Sequence, residues 1–238
     1  MTPDLNEFNQ PIGPVVTGWS KRPVPGRIPM EGRFCRLEPL DPERHGVDLW
    51  AANSLDSGAM WTYLPWGPFD DFDTYAAYVK LAAARDDPLV FAIIDAATDK
   101  AVGVGSYLRI NPTAGTIEVG GLAYSPLLQR RPAATEAMYL MMRRAFDELG
   151  YRRYEWKCNA LNAPSRSAAA RLGFRFEGIF RQADVVKGRN RDTAWYAITD
   201  DEWPKLRGMF ERWLDPANFD AAGDQRISLA SLTATLRQ

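Results

Sequence analysis

The chain is poor in the residues that build metal centres and activated nucleophiles. It has one histidine, His45, and two cysteines, Cys35 and Cys158, among 238 residues. A zinc site of the usual Cys and His composition cannot be assembled from these, so no metal is expected. Two distant cysteines make no disulfide framework either, and a reducing cytoplasm is the expected location. A surplus of one charge is also missing: 29 basic and 30 acidic residues leave a formal net charge of -1. That balance steers the chain toward neither nucleic acid nor an anionic membrane. No apolar run reaches the ~20 residues of a membrane-spanning helix. The opening MTPDLNEFNQPIGP lacks the basic segment and apolar stretch of an export signal.

What the chain has in quantity is apolar and aromatic side chains, 46% and 12%, enough to pack one large domain or two small ones. Residues 1–31 are rich in Pro and Gly, which disfavours helix and predicts an extended arm. RFCRLEPL reads as a strand, after which Asp41 caps a helix with Pro42 in its first turn. MWTYLPWGPFDDF is a loop crowded with aromatics, and Asp73 caps the next helix. LVFAIID, AVGVGSYLRI and TIEVGGLAYS, joined by short turns, form an antiparallel meander. The adjacent Gly120 and Gly121 in the third run mark a bulge or a close backbone approach. Met138, Met141, Met142, Ala145, Phe146 and Leu149 fall at i, i+3, i+4, i+7, i+8 and i+11, one apolar stripe of a long helix stopped by Gly150. A strand YRRYEWKCNA follows, then a short helix opened by Asn162 and Pro164 and closed by Gly173, then a hairpin around Lys187 to Asn190. Two helical segments end the chain after Asp201. This order predicts a mixed α/β fold, with an arm at 1–31, a main domain at 32–200 and a helical extension packed on it at 201–238.

Between the third run and the long helix stands SPLLQRRPAATEAM. A helix N-terminus presents unpaired N–H groups and a positive dipole end, so a strand leading straight into one is a candidate anion site. Pro132 suits the first turn but removes one donor. Arg130 and Arg131 offer charge and Thr135 a hydroxyl. A plain surface helix flanked by solvated arginines is the alternative.

The run from Glu118 through Trp203 resembles the core of the GNAT acetyltransferase superfamily, in the branch similar to the ribosomal-protein N-terminal acetyltransferases. The matching pieces are EVGGLAYSP, QRRPAATEA through AFDELGYRRYEWKCNALNAPS, and AARLGFRFEGIFRQADVVKGRNRDTAWYAI. RFCRLEPLDPERH and LPWGPF are similar to the amino-terminal part of the same branch. The resemblance implies a central mixed, splayed sheet of about six to seven strands flanked by helices. It implies acetyl-CoA as donor and N-acetyl transfer to a primary amine, a protein N-terminus or a small molecule, by direct transfer in a ternary complex. Neither nucleic acid nor membrane is expected as a partner, and a homodimer is left open.

On that resemblance Gln129, Arg130, Arg131, Pro132, Ala133 and Ala134 fall on the family's pyrophosphate loop, with Pro132 in place of its central glycine. The N–H groups of Arg131, Ala133, Ala134 and Thr135, assisted by the arginine charges, are implied to hold the coenzyme. The backbone N–H near Leu122 is implied as the donor to the thioester carbonyl. Glu118 is implied as the base, a cross-strand charge partner being the other reading. The tyrosine acid of many GNAT enzymes is Ala169 here. The branch's asparagine and serine near the coenzyme sulfur match Asn162 and Ser165, which read equally as helix caps. Trp61, Tyr63, Trp66 and Phe69 either line the acceptor pocket or close the edge of the core. His45 reads as a structural hydrogen-bonder, Cys158 as a core residue, and Arg175, Arg181, Lys187, Arg189 and Arg191 as a solvated hairpin face. A non-catalytic acyl-CoA-binding or regulatory module is the competing function, because Pro132 and Ala169 both depart from the family pattern.

Overall fold

The structure is a computed structural model and describes residues 4–236. Two short strands, β1 (Asp4–Leu5) and β2 (Pro11–Ile12), pair with each other apart from the rest. The main sheet is built from β3 (Met30–Glu31), β4 (Cys35–Pro39), β5 (Leu89–Asp95), β6 (Lys100–Asn111), β7 (Thr116–Tyr124), β8 (Arg153–Asn159), β9 (Arg175–Val186) and β10 (Arg189–Thr199). Their spatial order is β3-β4-β5-β6-β7-β8-β10-β9. Among the described residues only the β7–β8 pairing is parallel. Helices α1 (Pro42–Asn53), α2 (Phe72–Ala83), α3 (Pro132–Arg143), α4 (Ala163–Arg171), α5 (Trp203–Leu214) and α6 (Leu229–Thr233) flank it. The α/β expectation holds. The seven strand-like runs all become strands, and the eighth strand, Met30–Glu31, comes from the end of the Pro-rich stretch.

The local causes are ordinary ones. Asp41 accepts from the N–H groups of Glu43 and Arg44 at the start of α1. At α2 the cap is Asp71 rather than Asp73: its carboxylate takes the Thr74 N–H at 2.8 Å, and Asp73 lies inside the first turn, where it faces the positive dipole end. β5 is buried on both faces, which its unbroken apolar run requires. Its Leu89, Phe91 and Ile93 join the core beneath α3, while Val90, Ala92 and Ile94 join a second core beneath α1 and α2.

Helix α3 departs from the single-stripe expectation, because every residue from Ala133 to Met142 is buried. The covering layer is the C-terminal segment: Phe210 stacks on Tyr139 at 5.6 Å and Trp203 on Phe146 at 5.1 Å. The helix continues into a wider turn at Arg144–Glu148 before Gly150, at φ +69, ends it. Glu136 is buried on α3, and its carboxylate accepts three N–H groups, from Arg33 (2.8 Å), Phe34 (2.6 Å) and Cys35 (2.9 Å). A Cβ on Gly32 would lie 2.5 Å from that carboxyl, so glycine is required there. The preceding arm is tied down by Trp19 Nε1 donating to Thr113 O at 3.1 Å and Tyr151 donating its hydroxyl to Pro23 O at 3.1 Å.

Candidate active site

Thr116 to Val119 of β7 stand in register with Arg153 to Trp156 of β8, and there the pairing stops. Lys157, Cys158 and Asn159 continue only along β10, and Gly120 to Tyr124 only along β6. A notch therefore opens between two parallel neighbours. Its cause is a bulge in β7: Ser106 faces Gly120 and Val104 faces Ala123, so Gly105 opposes two residues, and Gly121 adopts φ +59. A Cβ on Gly121 would come 3.1 Å from Ser106 Oγ and 3.6 Å from the Trp66 ring. The positive φ and the close approach of Ser106 are what favour glycine there. Leu122 lies on the part of β7 that has left β8, beside the notch.

The QRRPAAT loop carries β7 into α3. Gln129 turns its side chain back, Nε2 donating to Tyr124 O at 2.8 Å. Arg130 is held at φ +61 and, like Arg131, is exposed. The Arg131 N–H donates to Leu128 O at 3.2 Å and the Ala134 N–H to Arg131 O at 3.1 Å, so the tight turn absorbs two of the four amides expected to face a ligand. No side chain caps α3, and among the described residues no backbone acceptor takes the Ala133 N–H. Ala133, Ala134 and Thr135 are buried. From α4 the Arg171 guanidinium reaches the same turn, Nη2 donating to Thr135 Oγ1 at 3.1 Å. Burial holds the Arg171 pKa below the ordinary guanidinium value, with only the Tyr124 hydroxyl opposing it and no carboxylate beside it. That hydroxyl is itself buried without a hydrogen-bond partner. A half-buried cation beside an uncapped, positively ended helix favours an anion that joins them. The residues present thus fit a diphosphate.

Glu118 lies at the inner end of the notch, opposite Glu155, with its side chain 3% exposed. Arg109 Nη1 donates to both its oxygens at 2.8 Å, and Lys157 Nζ lies 2.9 Å from Oε2. Lys157 is fixed by a second carboxylate, Glu155, at 2.8 Å and by the Trp195 ring, whose centroid is 3.8 Å away. Burial raises the Glu118 pKa, with Lys157 and then Arg109 opposing the rise. The carboxyl is therefore a buried cross-strand charge partner, not one on a solvated face.

Asn162 caps α4, its Oδ1 accepting the Ser165 N–H at 3.1 Å. Ser165 Oγ accepts from Trp156 Nε1 at 3.0 Å, which leaves its hydroxyl proton available as a donor, with the Cys158 thiol as one neighbour. Cys158 is buried beside it, and burial pushes its thiol pKa up. Ala169 is fully buried in the core.

The aromatic loop divides in two. Trp61 and Phe69 meet edge to face at 5.4 Å within the core beneath α1 and α2. Trp66 and Tyr63 reach the notch: Trp66 stacks on Tyr78 at 5.5 Å and lies beside Gly121, and Tyr63 donates its hydroxyl to Leu161 O, just past β8, at 3.3 Å. Lys187, at the tip of the β9–β10 hairpin, donates to Trp61 O at 2.8 Å and so ties the hairpin to this loop. His45 is a structural residue, its Nδ1 accepting from Asp41 N–H at 3.0 Å while Nε2 faces Glu38 at 3.1 Å. Arg175 pairs with Glu202 at 2.5 Å. Two surface hollows, at Ile179–Gln182 and around Arg152 and Asp200, are lined by none of Glu118, Ser165 or the 129–135 loop. We place the site by the notch, because it alone joins the uncapped helix to ionisable groups. Among the described residues no cluster of His, Cys, Asp and Glu is suited to a metal ion, and no helix is long and apolar enough to cross a membrane. Arg109, Lys157 and Arg171 escaped the sequence reading, since each is placed by pairing across strands or helices, although Lys157 and Arg171 lie within the segments that carry the family resemblance.

The pairing of β7 with its parallel neighbour ends at the bulge, and the strand leads through the 125–131 loop into an open helix end. Residues 36–175 match the family profile of the GNAT acetyltransferase domain, and the chain belongs to that family. It is an acyltransferase, and the family implies acetyl transfer from acetyl-CoA. It is similar to the crystal structure of a GCN5-related N-acetyltransferase from Brucella melitensis, with 49% identity, a TM-score of 0.90, and coverage of 92% of this chain and 100% of that one. It is 29% identical over 149 residues to the uncharacterized N-acetyltransferase YnaD of Bacillus subtilis, covering 62% of this chain and 84% of that protein. Microcin C7 self immunity acetyltransferase MccE, solved in complex with acetyl-CoA and AMP, shares the fold at a TM-score of 0.63 and 19% identity, over 71% of this chain and 93% of that one.

Proposed function

We propose that this protein moves an acetyl group from acetyl-CoA to a primary amine by direct transfer within a ternary complex. The observation that carries the reading is the end of β7–β8 pairing at Val119 and Trp156 on the strand whose loop leads into the uncapped start of α3. The Ala133 amide, the helix dipole and Arg171 bind the diphosphate, with Arg130 and Arg131 adding exposed charge. The pantetheine arm lies in the notch, where the Leu122 N–H meets the thioester carbonyl. When bound, the thioester supplies an activated acyl group whose C–S bond breaks as the amide N–C bond forms. Glu118 takes the proton that an ammonium must lose before nitrogen can attack. Ser165, held by Trp156, relays the second N–H proton of the attacking nitrogen to the departing thiolate, so its own hydroxyl is restored. Asn162 acts by fixing the turn that presents Ser165. Trp66 and Tyr63 flank the acceptor entrance, and Trp61 and Phe69 support them from the core. Two buried free cysteines, Cys35 and Cys158, suit a reducing cytoplasm.

The test is amine-dependent release of free thiol from acetyl-CoA across a library of peptides and small amines, with Ser165→Ala lowering turnover. Thiol release no faster with any amine than without would leave only a binding module. Arg171→Ala is expected to weaken equilibrium CoA binding by about tenfold, the loss of one charge-assisted phosphate contact of ~1.5 kcal/mol, while affinity for pantetheine, which has no diphosphate, stays the same. Equal loss for both ligands would show that Arg171 only props the helices.

A further inference from the structure

Both oxygens of Glu118 are already engaged, although the proposed reaction needs one of them for the acceptor nitrogen. Its two cations are held very differently. Lys157 is 6% exposed, pinned between Glu118 and Glu155 and seated on the Trp195 ring. Arg109 has a side chain 60% exposed, and no other carboxylate binds its guanidinium among the described residues. Its backbone, in contrast, is clamped. Asp87 accepts the Arg109 N–H at 2.9 Å with one oxygen and the Ile110 N–H at 3.0 Å with the other, at a point where Arg109 adopts φ +49 and the β6–β7 register shifts. A fixed pivot thus carries a long, solvent-facing cation whose tip closes over a buried carboxylate at the inner end of the notch.

We propose that Arg109 is a stand-in for the acceptor's ammonium group: a cationic amine displaces it from Glu118, and Arg109 swings into solvent on its clamped backbone. Lys157 stays, so the carboxylate keeps one counter-charge while the exchange proceeds. The incoming ammonium then gives one proton to Glu118; an N–H bond breaks, an O–H bond forms, and the electron pair remains on nitrogen for attack. The site accordingly selects acceptors that arrive protonated, such as peptide α-amines and alkylamines, over amines that are neutral at the working pH. This rests on the reading of Glu118 as the base. The charged groups facing that carboxylate are Arg109 from β6 and Lys157 and Glu155 from β8, with Arg153 behind Glu155 at 2.6 Å.

The experiment uses the full chain and an acceptor taken from the amine library. Arg109→Met is expected to lower the KM of a cationic acceptor about fivefold, because a rival that is mostly solvent-exposed gives up only ~1 kcal/mol. The KM of acetyl-CoA and of an acceptor that is neutral at the assay pH should not move. With one counter-charge gone, the acid limb of the kcat/KM profile should shift to higher pH, and Arg109→Lys should fall between the two. A higher or unchanged KM for the cationic acceptor overturns the exchange. Glu118→Gln separates the two ideas: wild-type kcat in that variant removes the base, whereas a normal collapse of kcat together with an unmoved KM in Arg109→Met removes only the exchange. Thermal midpoints of all variants show that each is folded.

Discussion

Glu118→Gln is expected to lower kcat by about 10²- to 10⁴-fold, the range that a positioned general base supplies, with little change in the affinity for acetyl-CoA. The fold should survive, because Lys157 keeps its second partner at Glu155 and the substitution is isosteric. The sign of the pH dependence follows from burial. Burial raises the Glu118 pKa, and only its ionised form accepts a proton, so activity should be lost as pH falls through that raised value. The need for a base also depends on the acceptor: a peptide α-amine, which ordinarily titrates at ~7.7–8.0, offers far more neutral amine near neutrality than a lysine at ~10.4. Glu118→Gln should therefore cost lysine-like acceptors more than peptide termini. A variant with wild-type kcat toward every acceptor would show that the amine arrives already deprotonated and that the carboxyl serves only the charge ladder.

Glu136→Ala carries the largest expected loss of stability. Three N–H groups, of Arg33, Phe34 and Cys35, converge on one buried carboxylate, and no other acceptor for them appears among the described residues. Leaving buried donors unsatisfied costs ~1–3 kcal/mol each. Water entering the vacated space will recover part of that, so about 3 kcal/mol is expected overall, lowering Tm by ~6–12 °C for a chain of this size. Glu136→Gln should lose less, since one oxygen remains while its amide turns a donor toward donors. A Tm within ~2 °C of wild type for the alanine variant would mean that the Gly32 turn is held by its other contacts.

Most of the fold is legible because its signals are local. Period-two and unbroken apolar runs give the strands, proline and Asp or Asn give the helix starts at Pro42, Pro132 and Pro164, and glycines give the stops at Gly150 and Gly173. The exceptions share a cause. Asp71 takes the cap from Asp73 because two candidates stand two residues apart and only the backbone path decides between them. The all-round burial of α3 depends on Trp203 and Phe210, more than sixty residues away, returning to cover it. The site divides in the same way. Gly120 and Gly121 announce the bulge, and the loop before α3 announces itself by position. Nothing near Glu118 in sequence reveals Arg109 or Lys157, since a β6–β7 register and a parallel β7–β8 register must both exist before the three side chains meet. Arg171 is hidden likewise: it sits in a run of alanines at the end of α4, and its significance comes from Thr135 on another helix.

The sheet is really two panels. One runs from β3 to β7 and the other contains β8, β10 and β9, and only four residue pairs, Thr116–Val119 against Arg153–Trp156, stitch them together. Under the proposed function the pantetheine arm fills the gap beyond that seam, touches both panels at once and sets its own amide groups where backbone rungs are missing. The donor proposed for that gap is in this sense a temporary strut, added to the shared core that already joins the two panels.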